Sequence, residues 1–157
     1  MDNLKNLLWV ASYPKSGNTW MRSILTSLFY SDDGIFDFKL LPKIDQFEKL
    51  QYFNFVKDIN IDDYKKLNEL PTISKYWEKA QKRIGSKELI FFKTHSCNYS
   101  YNNLNYTNQL KTRGGIYIIR DPRDVAVSYS KFIGESIDMT IDYMLGPSRQ
   151  IWNQNKS

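Results

Sequence analysis

One short stretch, Tyr13-Pro14-Lys15-Ser16-Gly17-Asn18-Thr19-Trp20, gathers an ammonium, hydroxyls and a glycine. That set suits an anion. Lys15 brings a mobile positive charge, and Ser16 and Thr19 bring hydroxyl donors. Gly17 lets backbone N–H groups approach a phosphate closely. The pattern differs from the nucleotide triphosphate loop G-x-x-x-x-G-K-[ST]. Here Lys15 precedes Gly17, and no glycine stands before it. This argues against an ordinary ATPase or GTPase. A Pro/Ser/Gly turn with an exposed lysine uses the same letters, so the loop alone leaves both readings open.

Two further groups carry chemistry. His95 is the only histidine, and Lys93 stands two residues before it. On an extended chain, residues two apart point to the same side. A neutral imidazole there can take a proton from an attacking hydroxyl. The neighbouring ammonium can stabilise charge on a transferring group or a departing oxygen. The plain alternative is a histidine that caps a loop carbonyl. Arg120 offers a planar fork of donors matched to phosphate oxygens, and Ser128 adds a hydroxyl. They read as a second anion site, separate from the loop at Lys15. Alternatively, Arg120 pairs with Asp121 or Asp124 and shapes a turn.

The elements that must position these groups follow from the apolar runs. Leu7 to Ser12 reads as a buried strand, and Thr19 to Phe29 as a helix that Asn18 or Thr19 could cap. Ser31-Asp32-Asp33-Gly34 is a turn. From Ile35 to Tyr64 the pattern is weak: extended chain around Phe36 to Leu41, then helix from Asp45 to Phe55. Asp62-Asp63 could cap a short helix to Leu67. Ser74 could cap a helix from Lys75 to Ile84, ended by Gly85. Leu89-Ile90-Phe91-Phe92 is a strand stopping at Lys93-Thr94-His95, and Ser96 to Gln109 reads as loop. Ile116-Tyr117-Ile118-Ile119 is a third strand, followed by a helix bearing Val125, Val127, Tyr129 and Phe132. Three strands, each followed by polar groups and a helix, spell an α/β fold with a parallel sheet covered on both faces. Ligands in such sheets bind beyond the carboxyl ends of the strands, where all three polar groups fall.

The bulk numbers agree. The chain has 157 residues, of which 41% are hydrophobic, enough for one domain with a core. Net charge +5 favours anionic ligands. The lysines are scattered rather than run together, so nucleic acid is not expected as a partner. The single cysteine, Cys97, excludes an intrachain disulfide and a cysteine-rich zinc site. The N-terminus lacks the order of a signal peptide, and no apolar run reaches the ~18 residues of a spanning helix. A cytoplasmic protein is expected.

Taken together, Tyr13 to Trp20, Lys93-Thr94-His95 and Ile116-Tyr117-Ile118-Ile119-Arg120-Asp121-Pro122-Arg123-Asp124-Val125-Ala126-Val127-Ser128-Tyr129 resemble the cytosolic sulfotransferase family in order and spacing. The resemblance implies a P-loop-like α/β fold spanning residues 1–157 as one domain. It implies 3′-phosphoadenosine 5′-phosphosulfate (PAPS) as donor, adenosine 3′,5′-bisphosphate (PAP) as product, a small-molecule hydroxyl or amine acceptor, and no metal. By position, Lys15 contacts the bridging and sulfuryl oxygens. Ser16, Gly17, Asn18 and Thr19 cradle the 5′ phosphate, and Trp20 stacks near the adenine. Lys93 assists at the sulfuryl group, His95 is the general base, and Arg120 and Ser128 hold the 3′ phosphate.

Two departures stand out. Asn18 occupies a position where the family commonly has threonine. The family's later Arg-Lys-Gly-x-x-Gly-Asp-Trp segment has no counterpart, and family members are considerably longer. The chain therefore reads as truncated to about the N-terminal half of the family fold. Weak nucleotide binding, exposed apolar surface and homo-oligomer formation are the expected costs. Two rivals stay open: an inactive nucleotide-binding module, and an ATP-dependent small-molecule kinase, which would bind ATP with magnesium.

Overall fold

The computed structural model describes residues 5–84 and 88–146. Gly85, the expected helix stop, lies outside them. Four strands form one parallel sheet: β1 (Leu7–Ser12), β2 (Asp45–Gln46), β3 (Ile90–Thr94) and β6 (Thr112–Ile118), in the order β2-β3-β1-β6. A separate hairpin joins β4 (Ser100–Tyr101) to β5 (Leu104–Asn105). The helices are α1 (Asn18–Tyr30), α2 (Ile61–Lys65), α3 (Leu70–Ile73), α4 (Trp77–Arg83), α5 (Pro122–Ile133) and α6 (Ile137–Leu145).

The period-2 geometry of a strand explains the layering. Along β1, Leu7 and Trp9 enter one core, while Leu8 and Val10 enter the other. On the first face, Trp9, Ile90 and Phe92 pack with Phe47, Phe53, Val56, Ile73, Trp77, Ala80 and Tyr106. On the second, Val10, Phe91, Ile116 and Ile118 pack against Met21 and Leu25 of α1 and against Ile44. Both faces are therefore covered, as the unbroken apolar runs of β1 and β3 require.

Aromatic contacts dominate the first core. The Trp9 ring meets Phe47 edge-on at 5.3 Å and Tyr106 at 5.4 Å, and Trp77 meets Tyr106 at 5.2 Å. Each fully buried side chain of this size contributes roughly 1.5–3 kcal/mol over leaving it exposed.

The segment between α1 and α2 differs from the extended chain and helix expected there. Phe38–Lys43 and Leu50–Asp58 are 3-10 turns, and β2 lies between them. Asn60, not Asp62 or Asp63, caps α2, accepting from the N–H groups of both aspartates. The stretch expected as loop from 96 to 109 contains the β4–β5 hairpin. Its turn residues Asn102 and Asn103 have φ of 47° and 63°, the signs a tight two-residue hairpin turn needs. Helix α6 was not anticipated; Ser136 caps it through Met139 N.

Register brings the chemistry together. Ala11 of β1 aligns with Thr94 on one side and Tyr117 on the other. The residues just past β1, β3 and β6 are thereby neighbours at one edge of the sheet.

Candidate functional site

The loop after β1 turns through two left-handed residues, Lys15 at φ 66° and Gly17 at φ 105°. Glycine adopts this freely, whereas a lysine there carries a cost of about 1–2 kcal/mol. The Ser16 N–H donates to the Tyr13 carbonyl at 3.2 Å and closes the turn. Gly17 stands at the N-cap of α1 and brings no side chain to cap it, and the first turn contains no acid. The leading N–H groups of such a helix favour an anion. Ser16 is buried in the loop, while Thr19 and Trp20 are exposed beside it. The Lys15 ammonium lies over the Phe132 ring of α5, 4.5 Å from its centroid.

Asn18 does not cap the helix. Its buried side chain turns back under the loop, and Nδ2 donates to the Val10 carbonyl at 3.0 Å and to Ser12 Oγ at 3.1 Å. Its backbone N–H, in the first turn of α1, remains part of the loop's donor set.

Ser12 links this bracing to His95. The imidazole Nδ1 lies 2.8 Å from the Ser12 carbonyl and 3.4 Å from its Oγ. A carbonyl only accepts, so Nδ1 carries the proton, and neutral His95 has a bare Nε2. Burial first, and then the positive charges of Lys93 and Arg22, push His95 below its usual pKa of 6.5, against the hydrogen bond to Ser12 and the charge of Glu48. The ring is therefore neutral at pH 7 and able to accept a proton. Lys93 is also held below the usual lysine pKa, by burial and then by Arg22 and Lys49, with Glu48 and Asp45 opposing.

Arg120 leaves the end of β6 and reaches the loop. Its Nη1 donates to the Lys15 carbonyl at 3.2 Å, and its Nε lies 3.6 Å from Asp124 Oδ2. Arg123 and Asp121 do the local structural work. Asp121 caps α5 through Arg123 N and takes the Arg123 guanidinium as well. Ser128 is half-buried on α5. Arg120, expected from sequence to belong to a second anion site separate from the loop, is hydrogen-bonded to the loop backbone.

A family model of the sulfotransferase domain matches residues 5–144. The chain belongs to the sulfotransferase family. No curated protein and no solved structure matches it significantly. The α/β architecture, a parallel four-stranded sheet flanked by helices, is consistent with that family's P-loop-like fold. Among the described residues no helix is long and apolar enough to cross a membrane.

Three residues beside this candidate site were not singled out from sequence: Ser12, Arg22 and Glu48. Ser12 could have been noticed as the last strand residue before the loop. Arg22 sits on α1, donates Nη2 to the Leu41 carbonyl at 2.7 Å, and has a buried Nε without a partner among the described residues. Glu48 lies in the stretch whose pattern was weak.

Proposed function

We propose that this chain transfers a sulfuryl group from PAPS to a hydroxyl or amine of a small-molecule acceptor, releasing PAP. One arrangement carries the reading. The uncapped start of α1, the Arg120 guanidinium and the neutral His95 ring lie at the carboxyl ends of three adjacent parallel strands, in a chain of the sulfotransferase family. The residues present fit such a donor: a left-handed glycine at a helix start, no first-turn acid, and arginine and lysine alongside.

The donor supplies an activated sulfuryl group on its 5′ phosphate. Ser16, Gly17, Asn18 and Thr19 receive that phosphate through loop N–H groups and the Ser16 and Thr19 hydroxyls. Trp20, exposed at the mouth of the loop, provides a face for the adenine. Arg120 and Ser128 take the 3′ phosphate. His95 Nε2 accepts the proton of the acceptor group as its oxygen or nitrogen bonds to sulfur. The bond from sulfur to the bridging oxygen breaks, and its electron pair leaves with PAP. Lys15 and Lys93 stabilise the charge arriving on that oxygen. No step asks for a metal. The whole chain, 1–157, acts as one domain, and the exposed Cys97 thiol suits the reducing cytoplasm.

Calorimetry with PAP, run beside a sulfuryl transfer assay over a panel of phenols, alcohols, sugars and amines, tests the reading. Binding with transfer to any acceptor supports it. PAP binding without transfer favours the binding-module alternative, and magnesium-dependent ATP binding favours the kinase.

A further inference from the structure

The two residues flanking His95 share one acceptor. Thr94 Oγ1 and Ser96 Oγ both donate to Oε1 of Glu48, and the Tyr106 hydroxyl reaches the same oxygen at 2.7 Å. The Ser96 N–H donates in turn to Thr94 Oγ1 at 2.9 Å. Each hydroxyl has a single proton to give. Three of them converge on one oxygen, which suits an ionised carboxylate. Oε2 of Glu48 is buried and has no hydrogen-bond partner among the described residues. Tyr106 is almost wholly buried, and burial together with Glu48 holds its phenol protonated, as a donor.

Glu48 is itself fixed. The preceding residue, Phe47, is fully buried in the first core, and its N–H donates to the Lys93 carbonyl at 3.2 Å. The carboxylate therefore rides on the pairing of β2 with β3 and grips the chain just beyond it.

We propose that Glu48 is a positioning residue for His95, holding Thr94 and Ser96 from one side while Ser12 holds the ring from the other. The proposal deepens the sulfuryl-transfer reading and rests on it for its functional meaning. Ser12 alone would fix the ring's tautomer but not the backbone that carries it. Glu48 supplies the second fixed point. It also sets one negative charge among the positive charges of Lys93, Arg22 and Lys49, with Asp45 the other acid in that group.

The test uses the histidine's uniqueness. Nitrogen-15 NMR of the imidazole reports tautomer and titration of His95 alone, with no donor or acceptor present. E48Q keeps an oxygen acceptor and removes the charge. Its His95 titration midpoint is expected to fall below that of the wild type, with the Nδ1–H form retained. E48A removes the grip as well, and mixed tautomers are expected. In the transfer assay, E48Q is expected to lower kcat about tenfold, the scale of one misplaced charge-assisted hydrogen bond, with the KM for the donor unchanged. S96A removes one flanking donor and decides the matter if E48A does not fold. Folded E48Q and S96A proteins with wild-type imidazole shifts and midpoint would overturn the proposal. A wild-type protein that binds no PAP and transfers nothing would sink the sulfuryl-transfer reading while leaving the imidazole result intact.

Discussion

Arg120 and Lys15, 105 residues apart in the chain, meet through one hydrogen bond of 3.2 Å from guanidinium to backbone carbonyl. Lys15 is the loop's left-handed non-glycine residue, so the arginine braces the peptide whose conformation is costly. A guanidinium has five N–H donors. With one spent on the loop and Nε turned toward Asp124, others remain for a phosphate. On the proposed reading, the same side chain shapes the loop and takes part of its ligand.

Arg120→Ala should therefore lose two things at once. PAP affinity is expected to weaken by about 1.5–3 kcal/mol, the scale of a lost charged hydrogen bond. Arg120→Lys should recover only part of this, because an ammonium lacks the planar fork. Calorimetric Kd values for the three proteins check the order. Equal affinities for wild type and Arg120→Ala would exclude Arg120 from the phosphate site.

His95→Ala and Lys15→Ala are both expected to abolish transfer, for different reasons. His95 is braced against the Ser12 backbone and not against the loop, so its loss should leave PAP affinity nearly unchanged. Lys15→Ala should weaken PAP affinity as well. Paired assays of transfer and PAP binding separate the two patterns, and a fully active His95→Ala protein ends the general-base role.

The pH profile of transfer follows from the direction of the His95 shift. Its pKa in the folded chain lies below 6.5. The proton-accepting form is then complete at neutral pH and is lost as pH falls through the depressed value. Transfer should rise from acid pH and level off before 7. A rising limb centred above 6.5 would contradict the assigned environment.

Trp77 offers a stability test away from the site. The ring is fully buried, yet its Nε1 has no acceptor among the described residues. Trp77→Ala should cost about 3–5 kcal/mol through the cavity it leaves. Trp77→Phe keeps much of the packing and deletes an unpaired donor, so it should cost far less. Urea unfolding midpoints of the two variants, taken with their slopes, check the difference.

The parts legible in sequence were those governed by local pattern. The apolar runs at Leu7 and Ile90, the turn at Gly17, and the Pro122 start of α5 all announce themselves within a few residues. The chain from Phe38 to Asp58 does not. Its 3-10 turns are held by Phe47, Phe53 and Val56 packing onto the sheet, and such turns carry no long periodicity. Glu48 was illegible for the same reason. Its three hydroxyl partners lie 46, 48 and 58 residues away. Asn18 was legible as a polar loop residue, but not its backward turn to Ser12, which depends on where β1 ends.

The sheet's last strand has one further consequence. Among the described residues, strand β6 is paired on one side only, and Tyr117 and Ile119 beside that margin are exposed. Backbone groups along such a border can accept another extended chain, and exposed apolar side chains strengthen the grip. Concentrated preparations of this chain are expected to thicken and cloud, and a lysine in place of Tyr117 should keep them clear.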